Sequence, residues 1–217
     1  MYDIIGYTGF SHVRGNASVI ERTQRSPAHY FQRPDEQDRL EVDTTRVAMT
    51  GFTAQIRGGK RAGTHWLWGG GGNIESPDFE LNDVGLLNSA DDIGQWAHLT
   101  YRETKPGKLF HSYWVEFDWS GEWNGAGTNT FKEFDLISNF TFKNFSTVEA
   151  IFSWFPSAFS DDLTRGGPLM KRLSSQEFFI RANSPFARSS QYGVGAFYNW
   201  GERGGWQYEL EVSYTRR

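Results

Sequence analysis

Cysteine is absent from this 217-residue chain, so no disulfide can staple it and no thiolate can hold a metal or attack a substrate. Long hydrophobic runs are missing too. No window approaches the roughly 20 consecutive apolar residues that a membrane helix requires, and the mean hydropathy is -0.59. A bilayer crossing would therefore have to use strands, whose hydrophobicity is halved by alternation. Charge of one sign is also scarce: a net charge of -4 provides no basic excess for nucleic acid, although Arg and Lys recur at the short turns. No internal repeat of solenoid type is visible. The five histidines, His12, His29, His65, His98 and His111, have no metal-ligand spacing, so no metal or other cofactor is expected.

What the chain has is aromatic side chains, 17% of its residues, and 24 glycines, a mixture that fits short strands and tight turns. Period-two alternation is clearest near the C-terminus, where Trp206, Tyr208, Leu210, Val212 and Tyr214 interleave with Gln207, Glu209, Glu211 and Ser213. Such a strand has an apolar face edged by Trp and Tyr and a polar face behind it, the reverse of a soluble barrel. The same reading along the chain predicts about ten antiparallel strands, near 3–13, 46–57, 64–74, 93–104, 109–120, 130–142, 147–156, 174–183, 190–200 and 206–215. The fold class is all-β, an up-and-down meander forming part of an outer-membrane type of β-barrel.

Joins 14–45, 75–92, 121–129 and 157–173 read as long, whereas 58–63, 105–108, 143–146 and 184–189 read as short. In a meander, this alternation sends the long joins to one end, as in barrels with long external loops. The final join, 201–205, departs by being short. A short helix is expected within Asn16 to Pro27, capped by Asn16 or Ser18. The start, Met1-Tyr2-Asp3-Ile4, has no signal-like pattern, and the end, Tyr214-Thr215-Arg216-Arg217, lacks a terminal aromatic. These features predict that 1–217 is one β-domain within a longer barrel.

Several polar groups are candidates for chemistry. Glu116 and Asp118 on one strand and Glu133 and Asp135 on the next all face inward, with Glu149 on the strand after them. They are expected near the external mouth. One reading makes them a cation or sugar-hydroxyl site, or a glycosidase pair about 5 Å apart; the other pairs them with inward Arg and Lys as ordinary lumen charges. Asp78, Glu80, Asn82 and Asp83 alternate oxygen ligands, but Asp83 stands where a calcium loop needs its turn glycine. Ordering of the loop by side-chain hydrogen bonds is the expectation there. Arg165 is expected to fold inward onto wall carboxylates. The run Gly69 to Gly72 lacks the Lys-Ser/Thr of a phosphate loop and reads as a strand with little bulk.

Three loop segments, Ala28-His29-Tyr30-Phe31-Gln32-Arg33-Pro34-Asp35, Ser76-Pro77-Asp78-Phe79-Glu80-Leu81-Asn82-Asp83-Val84-Gly85 and Leu163-Thr164-Arg165-Gly166-Gly167-Pro168-Leu169-Met170, join the start Tyr2-Asp3-Ile4-Ile5-Gly6-Tyr7 in resembling one bacterial family, domain of unknown function 5916. The resemblance implies an outer-membrane barrel, often following a domain similar to carbohydrate-binding module family 9. It supplies no catalytic residues. The expected partners are outer-membrane lipid, a glycan or other small solute, and that N-terminal carbohydrate-binding-like domain. The expected role is solute or glycan-related uptake, capture or surface anchoring; the alternative is a carbohydrate-active hydrolase or sugar-binding protein using the inward carboxylates.

Overall fold

A computed structural model describes residues 1–36, 38–81 and 85–216. Ten strands form one antiparallel sheet in chain order: β1 (Tyr2–Arg14), β2 (Ala48–Lys60), β3 (Trp66–Glu75), β4 (Asp92–Glu103), β5 (Phe110–Asn124), β6 (Asn129–Phe142), β7 (Thr147–Phe155), β10 (Ser175–Asn183), β11 (Ser190–Gly201) and β12 (Trp206–Arg216). A separate two-stranded ribbon, β8 (Ala158–Ser160) with β9 (Met170–Arg172), lies between β7 and β10. Edge strands β1 and β12 do not pair with each other, so the sheet is not closed. No helix among the described residues is long and apolar enough to cross a membrane.

One expected long join proves short. β5 runs on to Asn124 and β6 starts at Asn129, leaving the turn 125–128 in place of 121–129. The turn closes through Asn124, whose backbone N–H donates to the Thr128 carbonyl at 3.0 Å and whose side-chain oxygen accepts from the Thr128 N–H at 2.9 Å. Gly127 supplies the positive φ, 80°. Gly121 lies inside β5, where its bare backbone lets Trp119 and Trp123 close over it, ring centroids 6.5 Å apart. The remaining long joins, 15–47, 76–91 and 156–174, do share one end of the sheet.

Register assigns the faces. Cross-strand pairs such as Ile4–Gly58, Ala97–Trp119, Phe117–Leu136, Phe152–Phe178 and Tyr198–Tyr208 share the apolar face. Pairs such as Thr53–Glu75, Asp118–Asp135 and Glu177–Asn199 share the other. The apolar face is exposed along its length, from Ile4 (81%) through Leu136 (49%) to Val212 (84%). The buried core lies elsewhere, where the long joins fold back over the polar face. Helix α1 (Ala17–Gln24), with Asn16 at its N-cap, buries Ile20 against Phe31, Leu40 and Met49. A second cluster joins Ala28, Phe79, Leu87 and Ala90. Gly51 of β2 is required here, because a β-carbon would run into the Phe79 backbone.

Candidate lumen site

The polar face contains a ladder of carboxylates at mid-strand. Asp118 lies directly opposite Asp135 on one side and His98 on the other. Glu116 accepts a hydrogen bond from the Thr100 hydroxyl and is two residues from Asp118 on the same face of β5. Glu133 faces Ser120, and Glu149 lies between Asn139 and Arg181. Glu116, Asp118 and Asp135 are six or more residues inside their strands from the turn at 125–128, and Glu149 is near the opposite, short-turn end, so the group is centred on the middle of the sheet and not on its long-join end. Nor is the expected pairing made: among the described residues, none of these five carboxylates forms an ion pair with Arg or Lys. Arg181 pairs instead with Glu211, at 3.0 Å. Like charges placed directly opposite repel, which leaves Asp118 and Asp135 needing a cation, a proton or a hydroxyl donor between them. Aromatic rings flank the ladder, with Trp96 stacked on His98 at 5.8 Å between centroids and Trp114 opposite Arg102.

Above the ladder, the folded-back joins enclose a cavity of about 490 Å³ between themselves and β3 to β6. Glu75, Asp92 and Glu122 enter it from the wall, and Asp91, Asp161 and Asp162 from the joins. Arg33, 3% exposed, is part of its lining. It donates to Asp161 at 2.5 Å and lies 3.6 Å from Glu36 and 3.9 Å from Asp91. Arg39 forks onto Asp91 and also takes Glu36 at 2.9 Å, while Asn124 of the wall donates to Glu36 at 2.9 Å. Burial opposes the charge on Arg39, but the carboxylates of Asp91 and Glu36 outweigh it and raise its affinity for the proton. Three joins are thus locked to each other and to the wall.

The loop candidates separate. Asp78 is held by both terminal nitrogens of Arg46, at 2.9 and 2.6 Å, and Glu80 by His29 at 3.0 Å. Asn82 and Asp83 lie outside the described residues. Arg165 does not fold inward: it is exposed, with φ 52°, on the loop between β8 and β9. The guanidiniums that line the cavity are Arg33 and Arg172, the latter 3.0 Å from Asp162. Burial raises the proton affinity of Asp162, but hydrogen bonds from Ser160 and Arg172 prevail and hold its carboxyl below the usual range. Within the glycine run, Gly69 leaves room for His98 and Gly71 for Arg57.

Sequence reading missed Glu36, Asp91, Asp92 and Glu122. Glu122 had a signal, since it continues the inward series of Glu116, Asp118 and Ser120, and only the early end assigned to β5 hid it. Asp91 had none, because its meeting with Arg33 and Arg39 joins segments more than fifty residues apart, and Asp92 is held by Asn73 of the neighbouring strand. Among known proteins, the model of a family described as Domain of unknown function (DUF5916) matches residues 16–216. No curated protein and no solved structure matches.

Proposed function

We propose that this chain, which belongs to the DUF5916 family, forms part of the wall of a bacterial outer-membrane β-barrel that captures and passes a polyhydroxylated solute such as a glycan fragment. The observation behind this reading is the layering of the apolar face. Toward the long joins it presents Trp119, Trp123, Trp154, Trp200, Trp206 and Tyr208; toward the short turns it presents Tyr2, Trp66, Tyr101, Tyr113, Tyr192 and Tyr214. Between the two rows lie Ile56, Ala97, Leu99, Val115, Leu136, Ala150, Ile180, Ala196 and Leu210, with Phe117, Phe152 and Phe178 among them. Two Trp and Tyr girdles around an apolar band are the signature of a strand-built membrane wall. From Trp206 to Tyr214 the strand rises roughly 26 Å, close to the thickness of such a band.

The solute class follows from the polar face. Carboxylates without basic partners accept hydrogen bonds from hydroxyls, and the Trp96 and Trp114 rings offer flat apolar surfaces to a sugar ring. The locked joins above them restrict access from one end, which suits capture more than free diffusion.

Single-channel recording of the protein in planar bilayers tests this. A neutral oligosaccharide is expected to block the current transiently, and Asp118→Asn or Trp96→Ala should raise the half-blocking concentration about tenfold, the scale of one lost hydrogen bond to a charged group. Block that is indifferent to both substitutions would remove the solute site from this face. A protein that never opens would favour a surface anchor.

A further inference from the structure

The two ends of the sheet treat their cations differently. At the long-join end, five of the nine arginines are in ion pairs, Arg25 with Glu21, Arg33 with Asp161, Arg39 with Asp91, Arg46 with Asp78 and Arg172 with Asp162, whereas among the described residues Arg14, Arg22, Arg165 and Arg203 are not. The short turns, 61–65, 104–109, 143–146 and 184–189, contain no Asp or Glu at all, yet each contains Lys or Arg. Arg61 reaches Asp3 at 3.0 Å. Lys105, Lys108, Lys143 and Arg188 are exposed, and none forms an ion pair among the described residues.

Beside these cations, apolar side chains stand clear of the sheet: Leu109 is 59% exposed, Phe145 44% and Phe186 70%. Successive turns at this end are two strands apart, roughly 10 Å, about one Debye length at moderate salt, so their charges act on a surface jointly. A cation next to an apolar anchor, repeated turn by turn below an aromatic girdle, matches a layer of phosphates lying over acyl chains.

We infer that this turn rim is a binding surface for anionic phospholipid headgroups, with Lys105, Lys108, Lys143 and Arg188 each taking a lipid phosphate while Leu109, Phe145 and Phe186 enter the acyl boundary. The inference rests on the membrane reading above and adds an orientation: the short turns seat in the anionic phospholipid leaflet, and the long joins face away from it. It uses charge, which is independent of the loop lengths that suggest the same orientation.

Native mass spectrometry of the detergent-solubilised protein supplies the test, with phosphatidylglycerol or phosphatidylcholine added. The protein is expected to retain phosphatidylglycerol preferentially. The variant K105Q/K108Q/K143Q/R188Q should lose that preference, each removed cation weakening retention about fivefold, while its heat-shifted gel mobility is unchanged. Arg22→Gln with Arg203→Gln, at the other end, should leave the preference intact. An unaltered preference in the fourfold variant would overturn the inference, as would its suppression by excess inorganic phosphate or a stronger preference for lipopolysaccharide. If instead the protein needs no detergent and shows no heat-shifted mobility, the membrane reading itself fails, a result distinct from any of these.

Discussion

Replacing Arg33 with alanine is expected to release the folded-back joins from the wall, at a cost of about 3–5 kcal/mol to the capped state. Arg33 faces Asp161, Glu36 and Asp91 while almost fully buried, so its loss leaves carboxylates without compensating charge in a place that water reaches poorly. The penalty is chiefly that of stranded anions and not of a missing contact. Arg39 and Asn124 still bind Glu36 and cannot neutralise Asp161. Since α1 and its core cluster sit on the same joins, proteolysis within residues 15–47 should speed up by two orders of magnitude or more, while the strands remain protected. Equal cleavage of wild type and variant would show that the cluster does not hold the cap. Arg33→Met, which keeps an unbranched apolar stem, should be nearly as damaging, because it restores part of the packing and not charge.

The second large effect concerns Leu136, at the centre of β6 on the apolar face and 49% exposed. In water, arginine there would change little, since surface substitutions usually fall within about 0.5 kcal/mol. Against lipid at the midplane, the same change should cost about 2–4 kcal/mol. Folding titrations of Leu136→Arg in lipid vesicles are expected to show that loss. The matching change on the other face, Ile137→Arg, should be milder, because Glu116 is its cross-strand neighbour. If Leu136→Arg folds as well as wild type in vesicles, this face does not meet lipid.

Alternation made the wall legible because each strand has unlike faces, and a period of two states which residues share one. All ten sheet strands were placed to within a few residues, and the helix at Ala17–Gln24 was announced by Asn16 and bounded by Pro27. The ribbon of β8 and β9 was not foreseen: three-residue strands offer no period to read. The join at 125–128 was misjudged because β5 was ended near 120, and Gly121 in fact lies inside it, beneath two tryptophans. At the site, the inward ladder of Glu116, Asp118, Glu133 and Asp135 could be read from one hairpin, since neighbours in sequence are neighbours in register. The cap could not. Arg33 meets Asp161 across 128 positions and Arg39 meets Asp91 across 52, and no local pattern encodes which arginine of a loop finds which acid. Arg165 was expected to fold inward because a guanidinium fork suits buried pairing. It is exposed instead, and the buried Arg33 makes the pairing with Asp161.

The claim on which everything else depends is that the aromatic rows lie at membrane interfaces, and tryptophan fluorescence in lipids brominated at defined acyl positions measures that depth directly. Of the nine tryptophans, Trp96 and Trp114 are on the polar face and the other seven on the apolar face. Strong quenching by bromine near the headgroups and weak quenching by bromine at mid-chain are expected, with Trp96→Phe and Trp114→Phe keeping that order. Emission untouched by bromine at any depth, from protein that stays dispersed without detergent, would contradict that claim.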